Sequence, residues 1–382
     1  MAGSPTEVRR PELDIDAILA DRSIEIIVCC GAGGVGKTTS SAALALRAAE
    51  AGRKAVVLTI DPARRLAQSL GLGELDNTPR PVTAIDTTAG GSLDAAMLDM
   101  KRTFDEVVLA HTTPEKAEQI LRNPFYVALS SSFAGTQEYM AMEKLGQLHG
   151  QSRADGRWDL IIVDTPPARS ALDFLDAPEH LSSLLEGRFL RLLLAPTRGP
   201  LRLMSVGFNL VSSAMNKILG GQIITDVQTF ATAFETLFGG FRQRAQQTFD
   251  LLASPQTTFI VVATAEPDAL REAAYFVDRL DEESMPLSGL VVNREHRTEL
   301  PLSAGRAQAL AEEIDPEQFP VASVALERHA ALMQVIERER VLLDRFATAR
   351  PRILTTRVPA LQSDVSDLEA LRLVGDLLAT QG

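Results

Sequence analysis

A glycine-rich run near the N-terminus has the residue types that bind phosphate. Residues 31–39 read GAGGVGKTT, which fits the spacing G-x-x-x-x-G-K-T. Closely spaced glycines let backbone N–H groups turn toward an anion, and the positive end of a following helix adds to that attraction. The run therefore predicts a nucleotide phosphate site, with Lys37 at the β- and γ-phosphates and Thr38 as a ligand of Mg²⁺.

The other members of this loop complete the predicted cradle. The backbone of Gly33, Gly34, Val35 and Gly36 would surround the phosphates, and Thr39 would reach the α-phosphate. The alternative is a glycine-rich turn that only packs a helix against a strand. The Lys-Thr pair and the helical pattern that follows it favour phosphate binding.

Two aspartates follow later apolar runs that have the length of strands. Asp61 stands in VVLTIDPARRL, and Asp164 stands in LIIVDTPPARS. Ligands bind at the carboxyl ends of the strands in parallel α/β sheets, so these carboxylates are candidates to orient the attacking water and to support Mg²⁺. A strand-end aspartate often only caps a helix or a turn, but the phosphate loop favours the catalytic interpretation.

These groups need a sheet to hold them in place. Continuous apolar runs without polar alternation indicate parallel strands covered by helices on both faces; they occupy residues 26–30, 55–60, 160–163, 259–263 and 290–292. Weaker strand candidates are residues 82–86, 319–324 and 353–358, and a helix is expected over 364–378. The fold class is therefore predicted as α/β, with a doubly wound, mostly parallel sheet.

Two long tracts interrupt this alternation and are predicted to be helical. The first covers residues 92–150, and the second covers residues 178–252. Within the second tract, the stretch from Leu201 to Phe241 has only four charged residues. Such a stretch either binds a hydrophobic client or is buried in the core or in a dimer interface. We therefore predict a flexible tail over residues 1–22 and one domain over 23–382, with helical insertions at about 92–150 and 178–252.

The composition excludes several other classes of protein. The chain has 382 residues, of which 45% are hydrophobic, and its net charge is −12. It is too apolar for a disordered chain, and its acidity argues against nucleic-acid binding, including a partition-type ATPase on DNA. The two cysteines, Cys29 and Cys30, are adjacent, so we expect no zinc site and no disulfide framework. With no signal or membrane-spanning pattern, the cytoplasm is the expected compartment.

At these motifs the sequence resembles a known family, the arsenite-transport (anion-transporting) ATPases together with the ATPases that deliver tail-anchored membrane proteins. The resemblance rests on GAGGVGKTT, DPARRLAQSLGL, GTQEYMAMEKL, IIVDTPPARSALDFLDAP and GLVVNREHR. It implies a P-loop NTPase fold with an inserted helical subdomain, hydrolysis of ATP with Mg²⁺, and a dimer that holds nucleotide at its interface.

The same resemblance assigns roles to individual residues. It implies that Asp61 activates water, together with Lys37 at the phosphates, and that Asp164 supports Mg²⁺. It also implies that Asn293 recognises adenine and that a loop beginning at Pro359 closes over the base. Without the family, Asn293 would be interpreted as a strand-end cap.

One departure from the family pattern leaves two functions open. The family's loop normally carries a lysine at the position of Ala32, where it reaches the partner subunit's phosphates; Arg64, Arg65 and Arg169 are candidate substitutes. The first function expected is an ATP-hydrolysing switch that binds a hydrophobic client or a membrane partner, in the cytoplasm or peripherally at a membrane. The alternative is a weakly active nucleotide-binding subunit that forms a heterodimer with a paralogue carrying the lysine.

Overall fold

One eight-stranded sheet organises the part of the chain that this computed structural model describes, which is residues 12–61, 65–123, 126–127, 130, 136–166, 240 and 243–380. The strands are β1 Ile26–Cys30, β2 Lys54–Thr59, β3 Arg80–Pro81, β4 Ser92–Met97, β5 Leu160–Asp164, β6 Thr257–Thr264, β7 Leu287–Glu295 and β8 Thr355–Pro359. Their order is β3-β4-β2-β5-β1-β6-β7-β8. Every neighbouring pair is parallel except β3 with β4.

Helices precede, separate and follow these strands along the chain. They are α1 Ile15–Ala20, α2 Lys37–Glu50, α3 Arg65–Ser69, α4 Met100–His111, α5 Pro114–Leu121, α6 Thr136–Asp155, α7 Pro267–Glu282, α8 Ala304–Glu313, α9 Pro320–Ala349 and α10 Leu368–Ala379. The core beside β1 joins α2 and α10 through residues such as Leu44 and Leu371. The predicted α/β fold class is confirmed.

The chain divides into two compact units. The first contains the sheet and draws on Met1–Met97, Asp155–Ala171 and Leu252–Gly382. The second draws on Leu98–Ala154 and Leu172–Leu251; its described part includes α4, α5 and most of α6. Inside this second unit, Arg244 donates through Nε to both carboxylate oxygens of Glu143, at 3.0 and 2.9 Å. None of the helices in the described residues combines the length and the apolar character needed to cross a bilayer.

Two of the expected boundaries are wrong. The tail expected over residues 1–22 contains α1, because Asp14 caps this helix by accepting the N–H of Ala17 at 2.9 Å and Ile15 and Leu19 are buried. The helical insertion expected from residue 92 begins later, because Ser92–Met97 forms β4 parallel to β2. A short, mostly apolar run covered on both faces does not reveal by its period whether it is helix or strand. The second insertion, 178–252, lies almost entirely outside the described residues.

Two of the weaker strand predictions are also wrong. Residues 319–324 lie at the start of α9, where Pro320 occupies the first turn, a position that suits its fixed φ angle. Residues 82–86 form no strand, although the N–H of Val82 still donates to the carbonyl of Leu93 at 2.9 Å. The other predicted strands are confirmed, and β7 is longer than expected at both ends.

Candidate functional site

The phosphate loop lies between the end of β1 and the start of α2, as its spacing predicts. Gly31 has φ 150°, and a Cβ atom there would lie 2.1 Å from the carbonyl oxygen of Val262 on β6, so only glycine fits at this crossing. The first N–H groups of α2 have no acceptor within the helix, and its first turn carries no acidic residue. These features leave the end of the helix suited to an anion.

The loop residues differ in their exposure. Gly33 and Gly34 are exposed at the tip, Val35 is buried, and Gly36 is half-buried. Thr38 and Thr39 on α2 are also half-buried, so they border the space above the loop. The backbone predicted to surround the phosphates is therefore one continuous segment, and its tip at Gly33 and Gly34 is accessible to a ligand.

Lys37 is folded back over this loop. Its Nζ donates to the carbonyl oxygen of Ala32 at 2.7 Å, and the residue is 6% exposed. Burial lowers the pKa of the Lys37 ammonium, whereas the carboxylates of Asp164 and Asp61 raise it in part. The bond to Ala32 uses one of the three donors of an ammonium, so Lys37 can meet a phosphate without leaving the loop.

Asp164 ends β5 as a buried carboxylate with one satisfied oxygen. Its Oδ2 accepts the hydroxyl of Thr38 at 2.7 Å and the hydroxyl of Thr59 at 2.8 Å, while its Oδ1 has no hydrogen-bond partner. Burial raises the pKa of Asp164 to about 6, although the two hydroxyls and Lys37 lower it in part. A hard divalent cation prefers oxygen ligands, and an unsatisfied carboxylate oxygen beside a threonine hydroxyl offers two of them. Thr38 and Asp164 therefore fit Mg²⁺.

Asp61 follows β2 and is half-buried at the same edge of the sheet. Its negative charge acts on both neighbouring groups, because it raises the pKa of Asp164 and that of Lys37. The structure thus brings the carboxylate predicted to orient water into the electrostatic surroundings of the phosphate loop.

The two residues predicted for the base also lie at this edge. Asn293, near the end of β7, donates through Nδ2 to the carbonyl oxygen of Val35 at 2.8 Å. Pro359 ends β8, where it pairs with Glu295, two residues beyond Asn293. Asn293 is therefore in contact with the phosphate loop, and Pro359 lies on the neighbouring strand.

Ala32 and the arginines expected to compensate for it are only partly described. Ala32 is buried, at 8% exposed, and its side chain carries no charge. Arg65 begins α3 and is exposed, whereas Arg64 and Arg169 lie outside the described residues. A cation that replaces the missing lysine stays a prediction.

The two cysteines lie directly before the loop. Cys29 and Cys30 are free, buried thiols of β1. Burial raises the pKa of Cys29 to about 12 and raises that of Cys30 as well, so both thiols are poor nucleophiles and poor metal ligands. Across the described residues, no group of three or more His, Cys, Asp or Glu side chains is arranged to hold a metal ion.

Two contributions to the site were not predicted from the sequence. Thr59 supplies the second hydroxyl to Asp164, and a polar residue inside the apolar run VVLTI is the signal that would have identified it. Glu295 is buried at 8% exposed and pairs with Arg357 at 2.7 Å and with Arg297 at 2.8 Å. These ion pairs fix the end of β7 next to Asn293.

The sequence of this chain is similar to those of several known proteins. The model of the anion-transporting ATPase family matches residues 24–301, which include the phosphate loop, Asp61, Asp164 and Asn293 and end before Pro359. Similar proteins include ATPase GET3 of Kluyveromyces lactis, 26% identical over 74% of this chain and 75% of that protein. ATPase GET3 of Lachancea thermotolerans is 27% identical over 69% of this chain and 70% of its own length. ATPase GET3B of Arabidopsis thaliana is 25% identical over 76% of this chain and 68% of its own length.

Proposed function

The chain belongs to the anion-transporting ATPase family and is an ATP-hydrolysing enzyme, and we propose that it is a Mg²⁺-dependent, dimeric switch whose nucleotide state controls the binding of a hydrophobic client or a membrane partner. The observation that carries the proposal is the pair formed by Thr38 and Asp164 beside the phosphate loop, with Oδ1 of Asp164 buried and unpartnered. A carboxylate that served only in an ion pair or as a helix cap would have a hydrogen-bond partner on that oxygen.

In this proposal, the loop and the start of α2 bind the triphosphate. Backbone N–H groups surround the phosphates, Lys37 contacts the β- and γ-phosphates, and Thr39 contacts the α-phosphate. The backbone groups belong to Gly33, Gly34, Val35 and Gly36. Thr38 and Asp164 hold Mg²⁺, which when bound neutralises charge on the transferred phosphoryl group.

The groups on either side of the triphosphate have separate tasks. Asp61 orients the attacking water and accepts its proton, a role supported by its position at the end of β2 and its electrostatic coupling to Lys37. Asn293 contacts adenine, and the segment that begins at Pro359 covers the base. Support for this assignment comes from the pairing of Pro359 with the end of β7, where Asn293 lies.

Hydrolysis then changes the protein through the segments that follow the two carboxylates. Loss of the γ-phosphate removes a partner from the residues after Asp61 and Asp164, which relaxes those segments. The charge-poor stretch from Leu201 to Phe241 is the proposed client-binding segment, because its sequence is rich in methionine and aliphatic residues, which make adaptable apolar contacts. The proposed setting is the cytoplasm, with peripheral attachment to a membrane through the partner.

Two variants test the nucleotide site. Lys37→Ala is expected to lose ATP binding and ATP-dependent association, because it removes the buried cation. Asp61→Asn is expected to retain ATP binding and lose at least about 100-fold in kcat, since it removes a general base. Lys116→Ala, which removes an exposed lysine of α5, is the matched control. ATP binding and association that persist in Lys37→Ala would overturn the proposal.

Ala32 favours a second candidate function, a weakly active subunit in a heterodimer. A cation supplied from outside the active site contributes about 10³ to 10⁵ in rate to related phosphoryl transfers, and alanine supplies none. Native mass measurement of the complex from its own cells tests this candidate, because a paralogue carrying the lysine would appear as a mixed dimer. Fast turnover by the single purified chain, abolished by Arg65→Ala, would contradict it.

A further inference from the structure

Asn293 contacts the phosphate loop beside Gly36, the last glycine before α2. Its Nδ2 donates to the carbonyl oxygen of Val35 at 2.8 Å. The next residue, Gly36, has φ 96°, and a Cβ atom at that glycine would lie 2.2 Å from the same Nδ2. Gly36 therefore leaves the space that the amide of Asn293 occupies.

This contact fixes the orientation of one peptide group of the loop. The peptide bonds of the described residues are all trans, and in a planar trans peptide the carbonyl and the N–H point in opposite directions. Holding the carbonyl of Val35 toward Asn293 therefore turns the N–H of Gly36 away from it, as a phosphate-binding loop requires of its donors. Glycine lets such a peptide rotate at low cost, so the loop alone would not maintain this orientation.

The end of β7 holds Asn293 in position for this contact. The pairing of β7 with β8 shifts between Val292 and Glu295, and Arg294 inside this shift has φ 58°. The N–H of Arg294 donates to Oδ1 of Asn293 at 3.0 Å, while Glu295 is anchored by Arg357. Irregularities of this kind re-aim a strand's side chains, and here the amide is fixed at its oxygen as well as at its nitrogen.

We propose that Asn293 is a positioning residue for the phosphate loop, in addition to its proposed contact with adenine. A side-chain amide has two N–H donors and two lone pairs on its oxygen. The bonds to Val35 and Arg294 use one of each, and the remaining donor and lone pair suffice for the base. The same amide thus joins the base end of the site to the loop that binds the phosphates. This inference rests on the proposed nucleotide site.

Tripolyphosphate separates the two roles, because it has the phosphates of ATP and no base. We would measure the binding of ATP and of tripolyphosphate, each with Mg²⁺, by calorimetry in the full-length wild type and in Asn293→Ala. Loss of one hydrogen bond to the loop is expected to weaken tripolyphosphate binding by about 3- to 10-fold, and ATP binding by more. Gln334→Ala, which removes an exposed amide on α9, is expected to bind both ligands like the wild type.

The unfolding midpoint distinguishes positioning from a general loss of structure. Weaker tripolyphosphate binding with an unchanged midpoint supports the inference. If Asn293→Ala lowers the midpoint, Asn293→Leu takes its place, because leucine keeps the approximate size of the side chain, offers no N–H to Val35 and adds no charge beside the phosphates. Tripolyphosphate binding equal to that of the wild type overturns the inference, while weakened ATP binding in the same variant leaves the proposed function intact. A wild type that binds neither ligand overturns both.

Discussion

Replacing Asp164 by asparagine is expected to remove a loss of stability that the metal-free wild type suffers as the pH rises toward neutrality. Burial raises the pKa of this carboxyl from 3.8 to about 6, so the folded chain holds the proton more tightly than the unfolded chain. The stability contributed by that proton is complete below about pH 4 and is lost as the pH rises through about 6. Asparagine is neutral at every pH and does not incur this loss.

The two pKa values set the size of the effect. At about 1.4 kcal/mol for each pKa unit, the rise in the pKa of Asp164 from 3.8 to about 6 corresponds to about 3 kcal/mol in the free energy of unfolding. Roughly half of this difference develops between about pH 5 and pH 7. The carbonyl oxygen of asparagine can accept both hydroxyls that now bond to Oδ2, those of Thr38 and Thr59. Its amide NH2 group then takes the buried place of Oδ1, and the cost of these unpaired donors does not change with pH.

Urea unfolding in the presence of EDTA, followed by tryptophan fluorescence, measures this effect. Trp158 is the only tryptophan, and it is buried in the same compact unit as Asp164. The stability of Asp164→Asn relative to the wild type should grow with pH, and Asp268→Asn, at an exposed carboxylate of α7, controls for the loss of one negative charge. A stability difference between the two proteins that does not change with pH would refute the reasoning, because it would mean that the hydroxyls and Lys37 cancel the effect of burial on the pKa.

Three further predictions concern other residues of the proposed nucleotide site. Thr59→Val should raise the Mg²⁺ concentration needed for half-maximal hydrolysis by about 3- to 10-fold, because Asp164 loses a hydrogen bond; Thr59→Ser keeps the hydroxyl, and equal behaviour of the two variants would contradict the assignment. Ala32→Lys should raise the kcat of the single chain at least tenfold if it forms a homodimer, given the contribution of such a cation in related enzymes; an ATP-dependent homodimer with unchanged kcat would contradict this. Gly36→Ala should weaken ATP binding measured by calorimetry by at least about tenfold, because its Cβ would lie 2.2 Å from Nδ2 of Asn293 and because alanine rarely adopts φ 96°; binding within about twofold of the wild type would show that the loop adapts.

The phosphate loop could be predicted because its information is local. Gly31, Gly36, Lys37 and Thr38 act through spacing along one turn and the start of one helix, and the structure places them as that spacing requires. The strands around the site were predictable for the same reason, since buried parallel strands are continuous apolar runs. Ser92–Met97 was not, because its small and apolar residues suit a helix equally well until β2 is known to pair with it.

The connections within the site could not be predicted, because they depend on the order of the strands. Thr59 and Asp164 are 105 residues apart in sequence, and they meet because β2 lies beside β5. Val35 and Asn293 are 258 residues apart, and they meet because the loop after β1 reaches across β6 to the end of β7. Periodicity in one sequence carries no information about such neighbours.

Burial makes the free energy of the two charged groups in the site depend on whether a ligand is bound. Asp164 and Lys37 are both groups whose charged forms burial disfavours, and for Asp164 the disadvantage at neutral pH is about 3 kcal/mol. A cation beside Oδ1 and a phosphate beside Nζ would each offset part of this disadvantage, and the magnesium complex of ATP brings both at once. An increment of about 3 kcal/mol is a factor of roughly 100 in affinity. A ligand shifts a conformational equilibrium only by its difference in affinity for the two states, and relief of this disadvantage is one source of the difference that the proposed switch requires.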